Sequence, residues 1–459
     1  MKNHPPNNSI ATIILAAGRG TRMKSNMTKV LHQLGGKCLL QHVIDAALPL
    51  TQSISVVVGH NSESVKNAIN NNDINWVFQK NQLGTGHAVK ESIPSIADNS
   101  ICLILYGDVP LIQTNTLHTL IQKAETTGFS ILTVIQKNPS GYGRIIRNSS
   151  QTIQSIIEHK DASPKELEID EINSGIMAVR GLLLKKYLNE LKPNNSQGEL
   201  YLTDIVEKAV KDDVNIASFV CENSSEVMGI NNKNNLAEAE RVYQQKLAQS
   251  FMTNGLTLKD PSRFDCRGNL IFGSDCIIDV NVIFEGNNQL GNNVVIASNC
   301  IIKNAKIGDN SYIKQNSIIE DSTIGSHTSI GPFARIRPET SVGDHARIGN
   351  FVEVKKTSIG NNSKVSHLSY IGDSSIGKDV NIGAGVITCN YDGANKHQTV
   401  IDDGVFVGSN SQLIAPVTIG KNATIGAGST ITQDVPSEKL TLSRNKQVTI
   451  SKWKRSQKK

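Results

Sequence analysis

The stretch "LAAGRGTRM" sets Gly18 and Gly20 directly behind an apolar run, with Arg22 two residues on and Lys29 a short way beyond. Small residues let backbone amides approach a phosphate, and the two cations neutralise it. The spacing is neither G-x-x-x-x-G-K-[ST] nor G-x-G-x-x-G, which argues against a P-loop ATPase and a dinucleotide dehydrogenase. A second apolar run, "LILYGDVPL", ends in Asp108. A carboxylate there is costly unless it is solvated or bound to a cation, and beside a phosphate loop it reads as a Mg²⁺ ligand rather than a turn cap.

Far along the chain stands a different set. Arg337, Lys355 and His367, with Tyr370 three residues after the histidine, fall within or beside six-residue repeats whose other members are small. Acyl transfer to an amine needs a base, an oxyanion donor and a cleft for a long thiol cofactor, and imidazole titrates near the working pH. A single histidine in a repeat is ordinarily a corner residue; the neighbouring cations are what make this one a candidate.

These two sets must be held by different folds. Up to about residue 229, short runs such as "TIILAAG", "SISVVVGH", "ICLILYGD" and "SILTVIQK" alternate with amphipathic segments such as "TLHTLIQKAETTG". That pattern predicts a doubly wound, Rossmann-like α/β sheet with strands buried on both faces, where ligands bind beyond the carboxyl ends of the strands. Residues 230–252 read as a linker helix, with Leu236, Ala239, Val242, Tyr243 and Leu247 on one face. From about Ile277 the beat becomes six: Ile301, Ile307, Ile313 and Ile319, then Ile324, Ile330, Ile336, Val342, Ile348 and Val354, and later Ile401 to Ile431. No α-helix keeps a face at that period, whereas hexapeptide repeats build a parallel β-helix, here of about eight turns. Gly or Asp after each aliphatic residue suits corners with an unusual backbone angle. The expected domains are 1–229, 230–252 and 253–459.

The rhythm breaks between Thr388 and His397, where the chain supplies Cys, Asn, Tyr, Asp and Gly. An insertion at a coil corner marks the binding side of a solenoid. Cys389 sits inside it, but a thiol without a dedicated base argues for direct attack on the acyl donor rather than a covalent acyl-enzyme.

Composition narrows the classes. The formal charge of +6 comes from 47 basic and 41 acidic residues, too small a surplus to indicate nucleic acid. The tail "SKWKRSQKK" holds much of it and reads as solvated. Seven cysteines without a C-x-x-C pair indicate reduced thiols in a cytoplasm. No stretch approaches the ~18 apolar residues of a membrane span, and "IATIILAA" lacks the basic leader of a signal peptide. The leading "MKNHPPNN" and the patches "NNNDINW" and "KPNNSQG" read as surface variation.

"LAAGRGTRMKSNMTKVL", "QLGTGHA", "YGDVPL", "GYGRI", "EHKDA" and "EINSGI" resemble the sugar-nucleotide pyrophosphorylases. With "GPFARIRP", "GNFVEVKK", "SHLSYIGD" and "TCNYDGANK", the chain from Ile13 to Arg444 resembles the bacterial bifunctional N-acetylglucosamine-1-phosphate uridylyltransferases and glucosamine-1-phosphate acetyltransferases. The resemblance implies a left-handed β-helix, UTP and acetyl-CoA as co-substrates, and UDP-N-acetylglucosamine as product, a precursor of peptidoglycan and lipopolysaccharide. It places Leu15, Ala16, Ala17, Gly18, Arg22 and Lys29 on the nucleotide, and Gln79, Gly84 and Thr85 at uracil. Tyr106, Gly107, Gly143, Glu158 and Asn173 would surround sugar and ribose, with Asp108 and Asn231 on Mg²⁺. In the second half it makes His367 the proton acceptor, with Arg337, Lys355, Tyr370 and Asn381 around the sugar phosphate. Ala384, Asn390, Tyr391, Ser409, Ala427 and Arg444 would follow acetyl-CoA, and the basic tail its phosphates. The family forms homotrimers with this site between subunits, so the insertion would reach a neighbour. The competing reading is a monofunctional hexose-1-phosphate nucleotidyltransferase whose β-helix is regulatory; a third is a non-catalytic scaffold.

Overall fold

The computed structural model describes residues 9–69 and 73–456; the leading "MKNHPPNN", part of the first Asn-rich patch and the end of the basic tail lie outside the described residues. Contacts divide the chain into two units, Met1–Tyr243 and Gln244–Lys459.

The first unit is built on nine strands: β1 (Ile10–Leu15), β2 (Ser53–Val58), β3 (Ile74–Phe78), β4 (Ile101–Tyr106), β5 (Phe129–Ile135), β6 (Arg144–Arg147), β7 (Ile153–Ile157), β8 (Glu171–Arg180) and β9 (Ala217–Cys221). Their order is β9-β5-β8-β4-β1-β2-β3, with β6 joined to β8 and to β7. Ile14, Leu103 and Leu105 pack into the core on one side of the sheet, and Ile13, Cys102 and Ile104 into that on the other. Burial on both faces is why these runs read as continuously apolar. The sheet is not all parallel: β8 runs antiparallel to β4 and β5. β1, β2 and β4 are mutually parallel, so the segments after Leu15, Val58 and Tyr106 emerge at one edge. That edge carries the phosphate loop and Asp108.

The second unit is a left-handed parallel β-helix. Among the described residues one side stacks eleven strands, from Thr257–Leu258 to Leu440–Thr441, and a seventeen-stranded sheet wraps the other two. It is longer than the expected eight turns because its first coils, Phe264–Phe272 and Val282–Leu290, point Cys266 and Phe284 inward where the regular hexads use Ile or Val. The helix Lys233–Thr253 spans the unit boundary, and its apolar residues are shared out rather than aligned on one surface. Ala239, Val242 and Tyr243 join the cluster of Leu34, Leu39 and Ile230, whereas Leu247 and Phe251 pack with the β-helix core.

Several glycines of the hexads serve a purpose other than the expected one. Gly308, Gly325, Gly343 and Gly360 are absent from the positive-φ positions; the left-handed residue comes two places later, at Asn310 (φ 58°), His327 (φ 57°), His345 (φ 59°) and Asn362 (φ 62°), whereas Gly331 (φ 92°), after Ile330, is left-handed as expected. A Cβ on Gly343 would stand 2.8 Å from the Asn361 nitrogen of the next coil, and one on Gly308 2.7 Å from that of Ser326. Close stacking of coils excludes the side chain there, while Asn or His takes the left-handed corner two residues later.

Candidate functional site

In the first unit, a cavity of about 280 Å³ opens at the edge where β1 and β4 end. Leu15, Ala16, Ala17, Gly18, Lys29, Gln79, Gly84, Thr85, Tyr106 and Asp108 all line it, so ten of the residues singled out in the sequence meet on one wall. Gln82 and Glu199 line it too, without having been singled out. Gln82 accepts a hydrogen bond from Arg19 Nε at 2.9 Å and donates to the Ala17 carbonyl, which fixes the loop. The buried Gln79 donates through Nε2 to the Gly84 carbonyl (3.2 Å) and lies 3.0 Å from His87 Nδ1. Its amide is therefore oriented with the oxygen left for a ligand.

Four residues form the charged rim. Lys29 pairs with the Asp108 carboxylate and donates to Asn231 Oδ1 at 2.9 Å, while Arg22 Nη2 donates to the same oxygen at 2.8 Å. Oxygen donors from Asp108 and Asn231 thus converge on one cationic point, a donor set that suits a hard divalent cation. Among the described residues no cluster of three or more His, Cys, Asp or Glu side chains offers a metal site, so the remaining positions on such an ion would fall to phosphate and water. Gly107 donates its N–H to the Leu15 carbonyl at 2.9 Å and has Leu40, Val30 and Ala16 packed where a side chain would stand.

Gly143, Glu158 and Asn173 form a second group on the same unit. Asn173 N–H donates to the Gly143 carbonyl at 2.9 Å, and a Cβ on Gly143 would lie 3.5 Å from the Glu158 carboxylate. Burial pushes the Glu158 carboxyl above its ordinary range, against the opposing hydrogen bond from Thr203 Oγ1 at 3.1 Å. The Asn173 side chain caps a turn at Gly175 (φ 83°), whose α-carbon packs against the Tyr106 ring.

In the second unit, register brings Arg337, Lys355 and Tyr370 of the other set onto one side of the prism. Arg337, Lys355 and Gly372 occupy equivalent places on successive coils, and Glu353 aligns with Tyr370. Arg337 Nη1 donates to Glu353 Oε1 at 2.7 Å, and Lys355 Nζ lies 3.6 Å from Asp373 Oδ2. The buried Asn390 donates to Asp373, tying the insertion to this face. The insertion is held within itself: Asp392 accepts from the N–H groups of Ala394 (2.8 Å) and Asn395 (2.6 Å) and lies 2.7 Å from His397 Nε2. Those donors hold its carboxyl well below the usual range. Lys396 reaches back to Lys355, and the side-chain hydrogen bond between them, with the like charge, holds its ammonium below the ordinary value.

His367 is exposed and ends a strand on the neighbouring side of the prism, one corner away from Tyr370. Its Nδ1 lies 2.8 Å from Asn350 Oδ1 on the preceding coil. Asn381 is one coil further on, in register with Lys364, and no hydrogen bond joins its side chain to the other four. Ile382, Val407 and Ile425 are in register, so Ala384, Ser409 and Ala427 stack along one edge, and Arg444 Nη1 donates to the Ala427 carbonyl at 3.2 Å. Exposed Tyr391 lies on the insertion. Asn350, Glu353, Asp373 and Lys396 were not singled out in the sequence; the signal was the coil repeat, since Asn350 lies 17 residues before His367.

An α/β unit with a cation-rimmed cavity, joined to a hexapeptide β-helix bearing imidazole and cations, defines a two-part transferase. Residues 12–163 match the MobA-like NTP transferase domain, and residues 321–356 and 398–433 the bacterial transferase hexapeptide repeats. A protein of Ruthia magnifica subsp. Calyptogena magnifica named bifunctional protein GlmU is 56% identical over 451 residues, 98% of this chain and 100% of that one. Its namesakes from Vesicomyosocius okutanii subsp. Calyptogena okutanii and Marinobacter nauticus are 58% and 50% identical, covering 96% and 97% of this chain and 98% of each relative. The chain belongs to the GlmU family of bifunctional proteins. It is an enzyme with a nucleotidyltransferase unit and an acyltransferase unit, and the monofunctional alternative falls away.

Proposed function

We propose that the two units carry out successive steps of UDP-N-acetylglucosamine synthesis through the residues described above. In the β-helix, the amine of glucosamine-1-phosphate attacks the thioester carbonyl of acetyl-CoA; the new C–N bond forms, the C–S bond breaks, and the leaving thiolate takes up the proton that the nitrogen loses as the amide forms. An ammonium must shed a proton before that attack, and His367 takes it through Nε2, because Nδ1 is committed to an amide oxygen that can only accept. Arg337 and Lys355 hold the sugar phosphate, with Tyr370 and Asn381 beside it. Ala384, Ser409 and Ala427 leave a groove of small side chains for coenzyme A, flanked by Asn390 and Tyr391, with Arg444 meeting its anionic groups. In the α/β unit a phosphate oxygen of N-acetylglucosamine-1-phosphate attacks the α-phosphorus of UTP, and the bond to the β-phosphate breaks to release pyrophosphate. No protein nucleophile is required. Arg22 and Lys29 align and screen the phosphates, Gln79, Gly84 and Thr85 read uracil, and Tyr106, Gly107, Gly143, Glu158 and Asn173 enclose sugar and ribose. Mg²⁺, held by Asp108 and Asn231, supplies further charge screening when bound.

Phe333 and Phe351 stack at 5.3 Å on the β-helix and are 49% and 56% exposed, with Leu368, beside His367, at 62%. An apolar corner next to the base supports a homotrimer whose acetyl site lies between subunits. All seven cysteines are free and no helix of the described residues is long and apolar enough to cross a membrane; with UTP and acetyl-CoA as substrates, this supports a cytoplasmic enzyme.

The observation that carries the reading is His367, solvent-open and aimed by Asn350, one corner of the prism away from the side on which Arg337 and Lys355 stand in register. An assay supplying UTP, acetyl-CoA and glucosamine-1-phosphate tests it: His367→Ala should stop acetyl transfer and spare uridylyl transfer, and equal loss of both contradicts the assignment.

A further inference from the structure

Arg144, in "GYGRI", has a role that none of the assignments above gives it. It is 1% exposed, yet no carboxylate pairs with it among the described residues. Its guanidinium donates only to main-chain carbonyls: Nη1 to Tyr142 and Nη2 to Leu167 at 3.5 Å, with Nε left without a partner. A buried cation without an anion is costly, and an apolar side chain of similar volume would serve packing as well or better. What an apolar chain cannot do is hold two carbonyls on separate segments with one rigid fork.

Those segments are the two flanks of the sugar wall. Tyr142 precedes Gly143, and its phenol faces Asp108 and the Gly229 backbone. Leu167 ends the short helix Pro164–Leu167, in the segment that leaves β7 through Glu158. Arg144 itself is in register with Ile172 on β8 and Ile157 on β7, immediately before Asn173 and Glu158. Three of the five proposed sugar and ribose contacts, Gly143, Glu158 and Asn173, therefore adjoin Arg144 or its register partners.

We infer that Arg144 is a positioning residue for the sugar phosphate acceptor of the uridylyl site: it fixes Gly143 and Glu158 opposite Asn173 and touches no reactant. This rests on the proposed assignment of Gly143, Glu158 and Asn173 to the sugar.

The full chain is assayed for uridylyl transfer with varied N-acetylglucosamine-1-phosphate and varied UTP, as Arg144→Met, Arg144→Lys and Glu158→Gln. Arg144→Met should raise KM for the sugar phosphate about ten-fold or more while KM for UTP stays within about two-fold, since a mis-set wall weakens one substrate only. Arg144→Lys, which keeps charge but reaches one carbonyl, should fall between Met and the parent. Acetyl transfer by the same preparations should be unchanged. Sugar and UTP constants that rise together, a sugar KM equal to the parent's, or loss of all UTP turnover in both variants overturns the inference, the last because it would make Arg144 a folding residue. If Glu158→Gln leaves the sugar KM untouched, the sugar-wall assignment itself falls; if Glu158→Gln raises it and Arg144→Met does not, only the inference about Arg144 does.

Discussion

His367 Nδ1 lies 2.8 Å from Asn350 Oδ1, one coil away, and that contact decides which nitrogen of the ring is free. An amide oxygen accepts, so Nδ1 carries the hydrogen and Nε2 presents its lone pair. Replacing Asn350 with Ala should lower kcat for acetyl transfer about 10²-fold, because a mis-aimed base costs that much. His367→Ala should lose about 10²–10⁴-fold. Thiol release from acetyl-CoA measures both, and pyrophosphate release should be unaltered in either.

The two activities should separate on metal removal. Asp108 and Asn231 converge on Lys29 at the uridylyl rim, whereas the proposed acetyl transfer calls on an imidazole and two cations. Chelation with EDTA should abolish pyrophosphate release and leave acetyl transfer within about two-fold of its rate. Asp108→Asn should weaken the apparent affinity for Mg²⁺ in the same assay.

Burial raises the folded-state carboxyl of Glu158 above its unfolded value of 4.5. For an acid shifted upward, the folded state binds more protons than the unfolded state across that window, so stability is present at low pH and is lost as pH rises through it. Glu158→Gln, which carries no charge, should therefore melt a few degrees higher than the parent at pH 8, with the difference shrinking as pH falls toward 4.5. Scanning calorimetry of the first-unit transition measures it; a difference that widens on acidification contradicts the assignment.

In the β-helix, Gly343→Ala would place a Cβ 2.4 Å from Asn361 Oδ1 and 2.8 Å from its backbone nitrogen. It should cost about 1–3 kcal/mol, as overpacking of a close contact does. Asn362→Gly, at φ 62°, should change stability by only a few tenths of that range, because glycine accepts the left-handed corner. Chemical denaturation of the β-helix transition compares the two.

Phe351→Glu puts a carboxylate on the exposed stacked pair at the apolar corner. It should break the proposed trimer into monomers in light scattering and reduce acetyl transfer at least about ten-fold, while uridylyl transfer persists.

Much of this was legible in the chain. Period-six aliphatics specify a stacked prism, because inward positions recur whatever the coil packs against, and the runs around Ile14 and Leu103 specify a sheet covered on both faces. Local chemistry also singled out Gly18, Lys29 and Asp108, which the fold brings to one cavity. What was misread was the purpose of the hexad glycines, since the contact that excludes a side chain on Gly343 comes from the next coil, 18 residues away. The antiparallel course of β8 was hidden for the same reason: a strand's direction depends on where its neighbours lie.

By itself, then, the sequence determined the two kinds of scaffold and the candidate groups each of them carries, both properties of residue type and short-range spacing. Only the tertiary structure decided what aims them. Asn350 meets His367, Glu353 meets Arg337, and Arg144 reaches Leu167, because strand register and loop closure bring distant residues within hydrogen-bonding reach. Hydrogen bonds act over about 3 Å, and no pattern along the chain measures that distance across it.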